Sequence, residues 1–364
     1  MTWADARSRF PVLERHAYLN AGTFGPLSRG TADAVAELER WETENGRGGR
    51  AYFEQMLGLR ERVRAQLAEE VGVAPERVAL TESTTQGVHI VVTGLGLRPE
   101  DEVVTTDLEH FGLTGPLIAS GARINVVRLR DRPAADGFDA IRGAVTPRTR
   151  LVALSHVSWL DGRLLPWREL REETGLPVLV DGAQSVGAIA VSAEAADFYT
   201  ISAQKWLCGP ASTGALVVRE PEALPLRLVG YPSQESYSIE EARFEPKAGA
   251  ARFDPAFTGA PSLAGLDAAL TGLPPGRLER ARELSERFRA ALADAGYDVV
   301  TEQGQGTLVS WRWDGDGTEA AAALYERGVV VRDLPGTGLL RASVGWWNDE
   351  SDLERLLDGL DSAQ

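Results

Sequence analysis

Short apolar runs separated by helix-length segments constrain the fold of this chain more than any other feature. They lie at 102–106, 123–129, 151–154, 177–180, 198–201 and 214–218. Most lack the polar–apolar alternation of a strand with one wet face. Strands of that kind are buried on both sides, and their connections run through covering helices. The pattern predicts an α/β protein built on a mostly parallel sheet, with ligands at the carboxyl ends of its strands. His110, Asp181 and Ser202 each follow such an end, and Thr84 follows a shorter run at 78–80.

Two of these ends carry a chemical signal. Asp181 closes the run at 177–180, and Lys205 stands just past Ser202 after the run at 198–201. An acid and an amine so placed suit a cofactor that needs a carboxylate under a ring nitrogen and an amine to hold an aldehyde. That cofactor is pyridoxal phosphate (PLP). A third end points the same way. Ser83, Thr84 and Thr85 precede a helix, where hydroxyls and free backbone N–H groups can hold a phosphate. The same residues also read as a plain helix cap.

Composition narrows the partners. The chain has 364 residues, enough for about two domains. Its formal net charge of −15 gives no electrostatic gain on a phosphate backbone, so no nucleic-acid partner is expected. The single cysteine, Cys208, excludes an intrachain disulfide and a multi-cysteine metal site, and no metal is expected. A cytoplasmic location fits that usage. No signal-peptide pattern opens the chain, and no apolar run approaches membrane-spanning length.

Elsewhere, residues 1–15 read as a short helix and strap, and the turn-rich loop 21–26 as a cover over a site. Helices are expected at 30–46 and 51–72. Residues 221–262 look irregular and carry Tyr231, Tyr237, Arg252 and Thr258. A helix over 262–296, broken near Pro274-Pro275, leads to strands at 297–301, 307–312, 329–332 and 339–344. Helices at 318–327 and from about 349 complete a small α+β unit with an antiparallel sheet. The division expected is a large cofactor-binding domain, 16–261, and a small domain made of 1–15 and 262–364.

With these residues in place, the chain resembles fold-type I PLP enzymes of the class V aminotransferase family, from about residue 18 to 357. VDGAQ at 180–184, DFYTISAQKWLCGPASTG at 197–214 and RASVGWWN at 341–348 carry the resemblance. It implies that Lys205 bonds the cofactor aldehyde and later moves the proton at the substrate Cα. It further implies that Asp181 pairs with the pyridine nitrogen, that Gln184 bonds the phenolic oxygen and that His110 stacks on the ring. Ser83, Thr84, Thr85 and Ser202 would bind the phosphate, and Arg341 the substrate α-carboxylate. A homodimer with a shared site is implied too, with Thr258 the nearest match to a phosphate-binding residue given to the partner.

Departures from the family pattern shape the expected reaction. The loop 332–338 has no cysteine where cysteine desulfurases carry a mobile one, and Cys208 reads as a packed residue. Gln204 stands before Lys205 where desulfurases commonly have histidine. Trp159 stands where an asparagine is common, which puts an apolar wall against the substrate. The expected function is therefore a C–S (β-elimination) lyase acting on an amino acid without a persulfide cysteine. The alternatives are an aminotransferase or epimerase of a specialised pathway, a protein desulfurase-like by similarity only, and a PLP-binding protein without turnover. His156 reads as structural, and Trp346 and Trp347 as either pocket lining or packing.

Overall fold

The computed structural model describes residues 2–362. Helix α1 (Trp3–Arg7) and a 3-10 turn lead to the two-residue strand β1 (Ala17–Tyr18) and the loop over 21–26. Helices α2 (Arg29–Asn45) and α3 (Arg50–Glu70) follow. Then comes the alternating part: β2 (Val78–Thr81), α4 (Thr84–Leu95), β3 (Glu102–Thr106), α5 (Phe111–Ala119), β4 (Arg123–Val127), α6 (Gly137–Gly143), β5 (Thr149–Ser155), α7 (Trp167–Thr174), β6 (Val178–Asp181), β7 (Phe198–Ser202) and β8 (Gly214–Val218).

These seven strands form one sheet in the order β2-β8-β7-β6-β5-β3-β4. The pairs among β4, β3, β5, β6 and β7 are parallel, and β8 runs against both of its neighbours. Antiparallel neighbours need only a turn between them. Residues 203–213 are that turn between β7 and β8, and they carry Lys205.

The strands are buried on both faces because successive residues enter different cores. Val178 and Val180 join Val152, Leu154, Ile201 and Val217 on one face; Leu179 joins Leu151, Ala153, Leu216 and Val218 on the other. Residues from α3, α7 and α8 (Ala260–Thr271) fill the first core, and residues from α4 and α5 the second. Burying each such aliphatic side chain is worth about 1.5–3 kcal/mol. The outer strand β4 is more exposed, as an edge allows. It stops at Val127, short of the expected 129, because the Asp107 carboxylate takes the N–H groups of Leu129 and Arg130.

Past β8 the chain is more regular than expected. A hairpin, β9 (Gln234–Ser238) with β10 (Arg243–Pro246), occupies part of 221–262. Helix α8 packs on α2 and α3. After α9 (Arg277–Asp294), the expected strand at 297–301 reduces to one bridge, Val299 to Trp311. Strand β11 (Leu308–Arg312) and helix α10 (Gly317–Glu326) follow. The expected strand at 329–332 splits in two. Strand β12 (Val329–Val330) pairs in parallel with β1, whereas β13 (Arg332–Leu334) pairs with β14 (Leu339–Ser343). The second sheet, β11-β14-β13, is antiparallel, and helix α11 (Glu350–Asp361) closes the chain.

The N-terminus is tied to this C-terminal part. Arg7 donates to both oxygens of the buried Asp352 and to the Trp347 carbonyl. Phe10, Trp346, Trp347 and Trp206 share one apolar cluster with Cys208, so both tryptophans pack rather than line a pocket. Among the described residues, no helix is long and apolar enough to cross a membrane.

Candidate active site

The strand ends expected to hold a ligand converge. A cavity of about 160 Å³ is lined by Ser83, Thr84, Thr85, His110, Ser155, Trp159, Asp181, Gln184, Ser202 and Lys205, among others. A second lobe of about 180 Å³ shares His110, Trp159, Gln184 and Lys205 with it and adds Gly22, Thr23, Arg332 and Arg341. The site has two halves that meet at Lys205.

In the first half, Asp181 ends β6 and is almost fully buried. Burial raises its pKa, opposed by the Ala183 N–H and the charge of Lys205. One bond, from Ala183 N at 2.8 Å, leaves its carboxylate with acceptor capacity. Lys205 beside it is half-buried. Desolvation brings its pKa down to about 8, with Asp181 pulling it up and Arg341 and Arg332 pushing it down. Such an amine is poised to lose its proton near neutral pH.

At the N-terminus of α4 the three hydroxyl residues divide their work. Ser83 is the cap, accepting from Gln86 N at 3.2 Å, a bond worth about 1 kcal/mol. Thr84 Oγ1 is buried with no partner in the protein. A buried hydroxyl without a partner costs free energy, and a ligand oxygen there would recover it. The first turn of a helix also leaves N–H groups without intrahelical partners, which favours an anion there.

His110 caps α5 by accepting from Gly112 N through Nδ1, and its ring stands edge-on to Trp159 at 5.2 Å. Burial, then the charges of Lys205, Arg341 and Arg332, lower its pKa to about 4, so the ring is neutral at pH 7. Gln184 donates to Gly22 O at 2.9 Å and accepts from the Trp206 indole at 3.0 Å. It holds the loop 21–26 onto the site, where that loop was expected. Gln204 lines the first half and accepts from Ser212 N.

In the second half, Arg341 on β14 is buried and donates to the Trp159 carbonyl at 2.7 Å, while its Nε has no partner. Burial lowers its pKa to about 9, helped by Arg332. Gly22 packs closely beside it: a Cβ there would lie 2.7 Å from Arg341 Nη2, so the guanidinium would have to shift.

Thr258 does not line the cavity formed by its own chain. It follows Asp254, whose buried carboxylate binds Arg60, Arg64 and Leu80 N and anchors that segment. His156 is a buttress: its Nδ1 meets Tyr199 Oη at 2.7 Å, and its ring packs edge-on to Trp167 and Tyr199. Cys208 sits on the lysine turn with φ +55°, and burial pushes its thiol pKa up. Among the described residues, no cluster of side chains could hold a metal.

Sequence reasoning missed two groups. Glu109 is half-buried beside the cavity residue Ser155, accepting from Thr106, Ser155 N and Ser155 Oγ. Burial raises its pKa to about 7. Arg332 was seen only as part of a loop lacking cysteine. Its signal was the turn Pro335-Gly336-Thr337-Gly338, which in a hairpin places position 332 opposite 341.

Comparison with known proteins shows the family of the whole chain. The sequence pattern described as aminotransferase class-V matches residues 19–356. The isopenicillin N epimerase of Amycolatopsis lactamdurans is 31% identical over 98% of this chain and 98% of that protein. A cysteine desulfurase of Haloferax volcanii is 26% identical over 98% and 96%. The structure of the cystine C–S lyase C-DES with its reaction product cysteine persulfide is 28% identical. It covers 96% of this chain and 98% of that one, with a TM-score of 0.89.

Proposed function

The chain belongs to the class V aminotransferase family, and we propose that it is a PLP-dependent C–S lyase cleaving a cysteine-derived amino acid by β-elimination. The cofactor is pyridoxal phosphate, and the cavity residues fit it. Thr84 Oγ1 is an orphaned donor where the phosphate would lie, Asp181 has acceptor capacity for a ring N–H, and Lys205 is the amine lining the same cavity. When bound, the cofactor supplies an electron sink for the pair left as a Cα–H bond breaks.

The remaining work falls to the chain. Ser83, Thr85, Ser202 and the first turn of α4 join Thr84 around the phosphate. Thr258 adds to the partner's site in a homodimer. Asp181 keeps the ring nitrogen protonated, Gln184 reaches the phenolic oxygen and neutral His110 covers one ring face. Arg341 grips the α-carboxylate with the donors left free by Trp159 O. Trp159 and the loop 21–26 exclude water. Lys205 takes the proton from Cα. The Cα–H pair then forms the Cα=Cβ bond, and the Cβ–S pair leaves with sulfur. From cystine, with one water consumed, the products are pyruvate, ammonia and cysteine persulfide.

One observation carries the choice of elimination over desulfuration. Cys208 is buried on the lysine turn with its thiol pKa raised, and the turn at 335–338 has no cysteine. Sulfur therefore departs in the product. Incubating the holoenzyme with L-cystine and S-alkyl-L-cysteines tests this. Stoichiometric pyruvate and ammonia support it; alanine as the amino-acid product overturns it.

The 31% identity to an isopenicillin N epimerase favours a second reading, inversion at Cα. Loss of optical rotation without pyruvate would select it.

A further inference from the structure

Arg332 and Arg341 are register partners on the antiparallel strands β13 and β14, and both line the substrate half of the site. Like charges placed directly opposite each other in a sheet destabilise it. Here nothing acidic relieves them. None of the ion pairs among the described residues includes either arginine, although twenty-one such pairs occur elsewhere. Their protein partners are neutral oxygens: the Trp159 carbonyl for Arg341, and Thr23 Oγ1, at a long 3.4 Å, for Arg332. Buried charge is tolerated where a counter-charge compensates it.

One α-carboxylate cannot balance two guanidinium groups. From this we infer that the substrate carries a second anionic group, a carboxylate on its side chain, and that Arg332 binds it. The inference rests on the amino-acid chemistry proposed above and names its substrate class: amino acids with a carboxylate beyond Cβ. The two arginines divide the ligand by position. Arg341 is buried and held by Trp159 O beside Gly22, so it takes the carboxylate nearest Lys205. Arg332 is partly exposed at the start of β13 and meets the distal group. A planar guanidinium suits that task because it offers two parallel donors to one carboxylate.

The test is equilibrium binding to the holoenzyme of two amino acids that lack a Cα–H and cannot turn over. Isovaline has an uncharged side chain, and 2-methylglutamate carries the second carboxylate. Binding is read from the shift of the cofactor absorbance band and, independently, by calorimetry. The expected result is that 2-methylglutamate binds at least about tenfold tighter, that Arg332→Gln removes this advantage, and that isovaline affinity does not change. Arg332→Lys, which keeps the charge and loses the fork, retains part of the advantage. It also serves if the glutamine variant fails to fold.

Equal affinity for the two ligands in the unaltered protein overturns the inference. So does an Arg332→Gln variant that weakens both ligands alike, since both arginines would then grip a single α-carboxylate. In either case the amino-acid reading stands. If neither compound binds, that reading falls together with the inference.

Discussion

The backbone of Gly25 lies directly on the backbone of Lys205: a Cβ on Gly25 would sit 2.0 Å from the Lys205 carbonyl oxygen. Gly25 N also donates to Gln204 O at 2.9 Å, so the N-terminal loop clasps the lysine turn. Gly25→Ala must push the two segments apart. We expect a loss of about 1–3 kcal/mol of stability, measured by urea denaturation, and weaker cofactor retention on dialysis. Unchanged values on both counts would mean that the clasp is not needed.

Lys205→Ala removes the only amine that lines the cavity among the described residues. Turnover on any substrate found should fall by about 10³-fold or more, while the protein stays folded. Pyruvate release in a coupled assay measures this. Wild-type rates would remove Lys205 from the proton transfer.

Thr84→Val replaces the orphaned hydroxyl by a methyl of similar size. Because Thr84 Oγ1 has no protein partner, the cofactor-free variant should be as stable as the parent, or more so. PLP affinity should drop about tenfold, as expected for one lost hydrogen bond to a charged group. Calorimetric titration with PLP and thermal unfolding of the cofactor-free protein separate the two effects. Lower stability with unchanged affinity would make Thr84 a structural residue.

Cys208→Ala deletes the only thiol, which is buried and faces no cavity lobe. The kcat should stay within about twofold, with a stability loss on the order of 1 kcal/mol from the small void. A collapse of sulfur release would reinstate persulfide chemistry.

His156 has its pKa lowered to about 4, by burial first and then by Arg168. An unfolded chain binds a proton to histidine below its ordinary value of 6.5, whereas the folded chain resists until about 4. Stability therefore falls as pH drops through that window, and is restored as pH rises. His156→Gln keeps a hydrogen bond to Tyr199 without titrating. Its urea midpoint should fall less steeply between pH 6.5 and 4, with a difference of up to about 3 kcal/mol at the acid end. Parallel curves for the two proteins would show that His156 does not contribute.

Much of the fold, and the gathering of Thr84, His110, Asp181, Ser202 and Lys205 around one cavity, was legible in the sequence. Strands such as β6 and β7 are buried on both faces, so their residues are apolar throughout and their ends stand out. Asp181, Ser202, Lys205 and His110 follow those ends because a parallel sheet delivers every such end to one edge. The strand expected at 297–301 failed for the converse reason. Val299 makes a single bridge, and beyond it the Thr301 hydroxyl, not its backbone, bonds Ser310 N and Leu308 O.

By itself, then, the sequence determined the sheet, the residues at its carboxyl edge and the cofactor they suit, because each is written in a short local pattern. Only the tertiary structure decided how the lobe lined by Arg332 and Arg341 is built. Gln184 holds Gly22 across 162 residues, Arg341 holds Trp159 across 182, and Arg332 faces Arg341 through strand register. These relations arise from packing between distant segments, where burial and unpaired charge are set by neighbours that no local pattern specifies.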